Sequence, residues 1–250
     1  MLITIVTVTY NAEGTLERTL KSVEMQTHGN VEHIIMDGAS KDGTLAIAQA
    51  YKERNDDRDI RIVSEPDKGL YDAMNKAIAI AKGEYICFLN AGDKLHNPQT
   101  LEFIVHIAQH NPDAGVIYGD TDIVDDNGMK LRERRLSPPK RLNWRSFKNG
   151  MLVYHQAFYA KRSIVPAYDL SYRFSADYDW CIKCLKVSRK NAYAGDSPII
   201  SFLTAGITNR YHKKSLKERY DIMCKNYGSI TTFFLHLSFI PRYILRKFKK

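Results

Sequence analysis

The chain has 250 residues, 44% of them apolar, and a formal net charge of +9. That length and apolar content suit one sizeable α/β domain with a small appendage rather than several domains. Four cysteines make no disulfide framework, which excludes a stapled secreted scaffold and points to a reducing cytoplasm.

The N-terminus runs directly into a strand pattern, with no basic leader or cleavage site. Ile3 to Val8 is almost continuously β-branched, as in a parallel strand buried on both faces. Leu16, Leu20 and Val23 then recur at helical spacing. Val31 to Met36 predicts a second strand, Thr44 to Glu53 a helix, and Ile60 to Val63 a third strand. Leu70, Ala73, Met74, Ala77, Ile78 and Ala81 trace the best amphipathic helix in the chain, stopped by Gly83. Glu84 to Leu89 predicts a buried strand that ends in the tight turn Asn90-Ala91-Gly92-Asp93. Alternating βαβα units of this length predict a right-handed, mostly parallel sheet.

Beyond residue 110 the pattern loosens. Val116 to Tyr118 reads as a short strand, and Asp125-Asp126-Asn127-Gly128 as a hairpin turn between Ile123-Val124 and Met129-Lys130-Leu131. The stretch up to Lys148 contains Pro138-Pro139 and reads as a loop. A strand from Val153 to Tyr159, a helix from Asp177 to Val187, a strand from Pro198 to Leu203 and a helix carrying Leu216, Tyr220, Met223 and Tyr227 follow. Cys181 and Cys184 form a lone CxxC inside the predicted helix, with no second pair and no nearby His, so they read as core packing rather than zinc ligands.

The positive charge is uneven. Residues 130–148 hold eight Lys/Arg against one acid, and residues 229–250 hold five and no acid, on a mildly acidic remainder. Two local patches point to a specific anionic surface or ligand rather than general nucleic-acid affinity.

No GxGxxG follows the first strand and no GxxxxGK[ST] occurs, which disfavours a dinucleotide dehydrogenase or a P-loop enzyme. Instead Thr9-Tyr10-Asn11 ends the first strand, Asp37-Gly38-Ala39-Ser40-Lys41-Asp42-Gly43-Thr44 ends the second, and the Asp93 turn ends the fourth. In open α/β sheets, ligands bind at the carboxyl ends of strands. Carboxylates delivered there can accept hydrogen bonds from a base or ribose, and Asp93 is placed to hold a divalent cation against a diphosphate. Asp42 reads as a helix cap.

Together with Asp67-Lys68-Gly69 leading to Met74-Asn75, and Ser175-Ala176-Asp177-Tyr178-Asp179-Trp180, these segments resemble family 2 glycosyltransferases of the GT-A fold. The motifs fall in family order over roughly residues 1–220. The resemblance implies an α/β GT-A fold: a Rossmann-like, mostly parallel sheet flanked by helices, a smaller acceptor-side portion and a C-terminal helical segment. It divides the chain into a domain over 1–228 (nucleotide-binding half 1–110, acceptor half 111–228) and a basic amphipathic tail over 229–250. It implies inverting transfer of a sugar from a nucleotide-sugar, often UDP-linked, to a saccharide or lipid-linked acceptor hydroxyl.

By position, the resemblance makes Thr9 and Asp37 ligands of the base and ribose. Tyr10, Asn11, Lys68, Asn75 and Asn90 complete the nucleotide-sugar site. Asp93 becomes the ligand of Mn2+ or Mg2+, and Asp177 the catalytic base. His155 is a further candidate for contact with the donor sugar or acceptor, and Trp180 reads as a core anchor. Four positions depart from the family pattern: Asn90 and Gly92 stand where acids are common, Ala176 replaces a Glu, and Met74 replaces a frequent Arg. The alternatives are a catalytically inactive nucleotide-sugar binder and, further off, a basic nucleic-acid-binding protein.

The C-terminal segment mixes Phe233, Phe234, Leu237, Phe239 and Ile240 with a Lys/Arg-rich end. Its apolar run is far too short to cross a bilayer, but the segment suits the membrane interface, at the inner face of the cell membrane.

Overall fold

The computed structural model describes residues 1–134, 136–204 and 212–237. Strands β1 (Ile3–Thr9), β2 (Val31–Asp37) and β4 (Tyr85–Phe88) are buried along their whole length, which is why their sequences carry little polar alternation. Helices α1 (Leu16–Glu24), α2 (Thr44–Glu53) and α3 (Leu70–Ile80) provide the crossovers, and β3 (Asp59–Ser64) completes the set. All four strands are parallel in the order β3-β2-β1-β4, so the winding reverses between β1 and β4. Such a switch point opens a crevice beyond the strand ends.

The second half makes the sheet mixed rather than mostly parallel. It contributes β5 (Lys94–Leu95), β6 (Ala114–Val124), β7 (Lys130–Glu133), β8 (Phe158–Lys161) and β9 (Lys190–Leu203). β8 pairs antiparallel with both β4 and β6, β5 with β9 and β7 with β6, while β6 and β9 are parallel. One continuous sheet thus joins both halves of the chain. β6 and β9 run well beyond the short strands expected, because each has the other as a long partner. The 125–128 turn is formed as expected, with the Asp125 N–H bonded to the Met129 carbonyl.

Three segments differ from the sequence reading. Thr100–His110 is a helix, α4, whose Leu101, Ile104, Val105 and Ala108 are buried at helical spacing. The predicted strand at 153–159 is a 3-10 turn over His155–Ala157 before β8 begins at Phe158. In α6 (His212–Tyr227), Met223 is buried and Tyr227 packs against the core as expected, but Ile222 is buried too and Leu216 is exposed. A short helix, α7, follows over residues 229–237.

Two polar residues inside the buried strands, Glu32 and His33, have side-chain partners. Glu32 accepts from Thr4 Oγ1 at 2.6 Å and from the Lys82 N–H at 2.7 Å. His33 sits between Thr7 Oγ1 and Tyr51 Oη, each at 2.9 Å; burial, with the Arg58 charge, pushes its pKa down to about 3, so it stays neutral.

The helix most relevant to function is α5 (Ala176–Val187), and an aromatic stack seats it. Trp180 is fully buried, as expected of a core anchor; it stacks on Tyr168 at 5.1 Å and meets Phe88 and Phe158 edge-on at 5.6 Å. Its indole N–H donates to the Pro166 carbonyl at 2.9 Å. Cys181 and Cys184 are buried beside it as unbridged thiols, in keeping with the core-packing reading. Trp180→Ala removes this anchor and should cost about 3–5 kcal/mol of stability. The expected result is a lower urea midpoint at unchanged m-value; a loss below about 1 kcal/mol would mean that the stack does not hold α5.

Candidate active site

At the carboxyl ends of β1 and β2, Thr9 stands in register with Asp37. Asp37 accepts from the Ser40 N–H at 3.1 Å, Ser40 Oγ at 2.5 Å and Ser64 Oγ at 2.6 Å, which fixes its carboxylate. Thr9 Oγ1 is buried without a hydrogen-bond partner. Asn11, at φ 47°, clamps the two turns together: its N–H donates to Ser40 Oγ and its Oδ1 accepts from the Lys41 N–H, both at 2.9 Å. Ala39, at φ 60°, holds a left-handed conformation that a non-glycine residue seldom adopts outside a constrained site. A Cβ on Gly38 would lie 2.6 Å from Asp67 Oδ2 and 3.3 Å from the Tyr10 ring, so only glycine lets these groups converge. Tyr10 is exposed at this rim.

Gly43, not Asp42, is the cap residue of α2; Asp42 stands one residue earlier and accepts from the Thr44 N–H at 3.0 Å. Lys68 is exposed just before α3. Asn75 brackets the backbone of Tyr168, accepting its N–H at 2.7 Å and donating to its carbonyl at 3.0 Å, so its amide is committed to the aromatic stack.

Across the switch point, four side chains form one hydrogen-bonded line. Asn90 Nδ2, at the end of β4, lies 3.3 Å from His155 Nε2, and His155 Nδ1 lies 3.3 Å from Asp177 Oδ2. Tyr71 Oη donates to Asp177 Oδ1 at 3.2 Å. Because an ionised carboxylate only accepts, the Asp177 contact puts the neutral imidazole's proton on Nδ1 and leaves Nε2 to accept from Asn90. Asp177 lies in the first turn of α5, where the helix terminus favours a negative charge. Burial alone would raise its pKa. Its contact with His155, the charge of Arg219 and the Tyr178 N–H outweigh that and hold it below the usual carboxylate range. Asp179 bonds instead to Lys183 at 2.6 Å, so the two acids do point to different partners.

Asp93 lies in a different setting. Gly92, at φ 101°, makes the turn that swings it inward. Its Oδ2 accepts from Gln156 Nε2 at 2.8 Å and its Oδ1 from the Leu203 N–H at 3.0 Å, linking the turn to β9. Burial pushes its pKa up to about 6. Both oxygens are engaged and the residue is 4% exposed. Among the described residues, no three His, Cys, Asp or Glu side chains gather to hold a metal ion. Among the described residues, the side chains around Asp93 therefore do not by themselves form a cation site.

The structure gives roles to residues that the sequence reading left without one. Ser40 and Ser64 fix Asp37, Gln156 holds Asp93, and Tyr71 and Arg219 act on Asp177. Gln156 and Tyr71 each lie within three residues of a predicted site residue. Arg219 carries no comparable signal, because it reaches the site through the packing of α6 against α5.

Residues 4–166 match the family model described as Glycosyl transferase family 2. A "PGL/p-HBAD biosynthesis glycosyltransferase" of Mycobacterium bovis is 33% identical over 187 residues, covering 73% of this chain and 69% of the relative. An "Uncharacterized glycosyltransferase" of Mycobacterium tuberculosis is 30% identical over 196 residues, covering 74% and 69%. Among solved structures, TarS of S. aureus in complex with UDP-GlcNAc superposes with TM-score 0.69 at 16% identity, over 97% of this chain and 72% of that one. The mannosyltransferase PcManGT of Pyrobaculum calidifontis, in complex with GDP-Man and Mn2+, superposes with TM-score 0.65 at 18% identity, over 94% and 70%. These structural likenesses show the GT-A fold. With the family match and the curated relatives, they make this chain a glycosyltransferase of family 2.

Proposed function

We propose that the protein is an inverting glycosyltransferase that moves a hexosyl or N-acetylhexosaminyl group from a nucleotide-sugar, UDP-linked, to a hydroxyl of a saccharide or lipid-linked acceptor in surface-glycan biosynthesis at the cytoplasmic face. The observation that carries this reading is the line Asn90–His155–Asp177–Tyr71. It sets one ionised carboxylate beside the strand end where the donor turns converge.

The nucleotide would lie over Thr9, Tyr10, Asn11 and Asp37, with Lys68 at the rim; the unpartnered Thr9 hydroxyl offers the base or ribose a hydrogen bond. Asp177 takes the proton of the acceptor hydroxyl as its oxygen bonds to the anomeric carbon. The bond from that carbon to the diphosphate oxygen breaks on the opposite face, so configuration inverts. A positioned base of this kind contributes about 10²–10⁴-fold. His155 is a positioning residue: it holds Asp177 by one oxygen and keeps it ionised.

Asp177→Asn should lower kcat by about 10²–10⁴-fold while leaving the nucleotide-induced rise in melting temperature intact. Near-normal turnover in this variant would remove Asp177 as base. The base must be deprotonated, so kcat/KM falls on the acid side as pH drops through its pKa. His155→Ala removes the hydrogen bond that lowers this pKa, so its acid limb should move to higher pH. A purely structural role for His155 would reduce activity and leave the limb where it is.

Mg2+ and Mn2+ bind oxygen ligands and commonly share them with substrate phosphates. We propose that the divalent cation enters with the donor diphosphate rather than residing on Asp93. Mn2+ alone should then leave the melting temperature unchanged, and Mn2+ with a uridine nucleotide should raise it. A shift with Mn2+ alone that disappears in Asp93→Asn would instead make Asp93 a resident ligand.

The same variant tests the inward role of Asp93. Its folded pKa of about 6 lies above the ordinary 3.8, so its protonation stabilises the fold fully below 3.8 and is lost as pH rises through 6. Asn stays neutral throughout. The stability difference should move in favour of Asp93→Asn between about pH 4 and pH 6, by up to about 3 kcal/mol. A pH-independent difference would show that Asp93 is not buried against neutral donors.

A further inference from the structure

We infer that α7 and the basic residues around it form a foot that docks on an anionic lipid bilayer. The helix has two opposed faces. Thr232 is buried, Leu235 packs against the core and the His236 ring meets Tyr220 edge-on at 5.0 Å. On the other side Ile230, Phe233, Phe234 and Leu237, spaced i, i+3, i+4 and i+7, are 45–77% exposed. A helix already seated on the protein by one face has no packing reason to carry an apolar stripe on the other. Four large apolar side chains in one row are a docking surface in search of an apolar medium.

Charge identifies the medium. The end of the first basic stretch reaches the start of α7. Trp144 stacks on Tyr227 at 5.5 Å and its carbonyl accepts from Tyr227 Oη at 2.7 Å, which brings the 144–149 turn to the end of α6, directly before α7. Arg145 lies over the Trp144 ring at 4.8 Å and Lys148 over the Tyr227 ring at 5.4 Å. Beyond α7 the sequence continues with Arg242, Arg246, Lys247, Lys249 and Lys250 and no acid. An apolar row flanked by cations matches the acyl boundary and anionic headgroups of a bilayer. Among the described residues no helix is long and apolar enough to cross a membrane, so contact would be at the surface.

The orientation serves the active site. Gly228, at φ 86°, separates the two helices, and α7 folds back along α6 until His236 reaches Tyr220. Tyr220 adjoins Arg219, whose charge acts on Asp177. The far end of the foot therefore lies beside the turn of α6 that carries Arg219, whose charge acts on the proposed base in α5, and a lipid-linked acceptor would have to arrive near that base. This last step rests on the proposed acceptor class, whereas the docking itself does not.

The test is co-sedimentation of the full chain with vesicles of phosphatidylcholine alone or with about one third phosphatidylglycerol. Binding is expected to the anionic vesicles, about tenfold or more above the neutral ones and weakening with salt. Phe233→Glu/Phe234→Glu should lower it about tenfold or more. A full-length variant with Lys247→Gln, Lys249→Gln and Lys250→Gln should lose most of the salt-sensitive part. Both sets lie on exposed or terminal residues and should leave nucleotide-induced thermal shifts intact, which separates failure of docking from failure of the glycosyltransferase reading. No binding to anionic vesicles, or equal binding by the Phe233→Glu/Phe234→Glu protein, overturns the proposal. So does light scattering that shows a dimer dissociated by those substitutions, because the stripe would then belong to a second copy.

Discussion

The site depends on a hydrogen-bonded bridge between two elements far apart in sequence. Asn90 belongs to the parallel half of the sheet, Asp177 to the helix that covers the mixed half, and His155 joins them from the 3-10 turn between. An imidazole suits this place because its two nitrogens lie at opposite sides of a rigid ring, one accepting and one donating. The bridge gives Asp177 a fixed orientation, and the aromatic stack under Trp180 gives its helix a fixed height. Positioning of this kind is what a reaction with few chemical groups requires.

Two buried carboxylates show how environment divides roles between identical groups. Burial penalises the ionised form of both Asp93 and Asp177. Asp177 has a histidine, the charge of an arginine and a helix terminus to offset that penalty, and its pKa falls. Asp93 has mainly an amide side chain and a backbone N–H, and its pKa rises to about 6. A pair of acids pushed in opposite directions marks which one is kept ionised. The other acts as a fastener between the turn and β9.

Charge counted along the chain is not charge at the surface. Within 130–148, Lys130 pairs with Asp122 at 2.8 Å, and Arg134 is buried over the Tyr154 ring at 3.7 Å with its guanidinium donating to the Met151 and Leu152 carbonyls. Arg145 and Lys148 lie instead on the aromatic rings beside α7. These four cations are thus taken up by an ion pair, the interior and the aromatic rings beside α7, while Arg132, Lys140 and Arg141 stay exposed.

The sequence by itself determined the parallel half. β1, α1, β2, α2, β3, α3 and β4 follow from β-branched runs, helical spacing and glycine stops, because local periodicity and burial agree there. It also set out the candidate groups, since Thr9, Asp37, Asn90, Asp93 and Asp177 all stand at strand ends or a helix start where chain direction changes. Leu101, Ile104, Val105 and Ala108 carry the same helical spacing in α4, which the sequence reading passed over. Only the tertiary structure decided which way each group faces and what it meets. That Asp93 turns inward to Gln156 and Leu203, that Asn75 braces Tyr168, and that His155 closes on Asp177 are long-range pairings. They depend on how β8 and β9 add to the sheet and how α5 and α6 pack on it. Periodicity records which side of an element is buried, and carries no information about the partner waiting there.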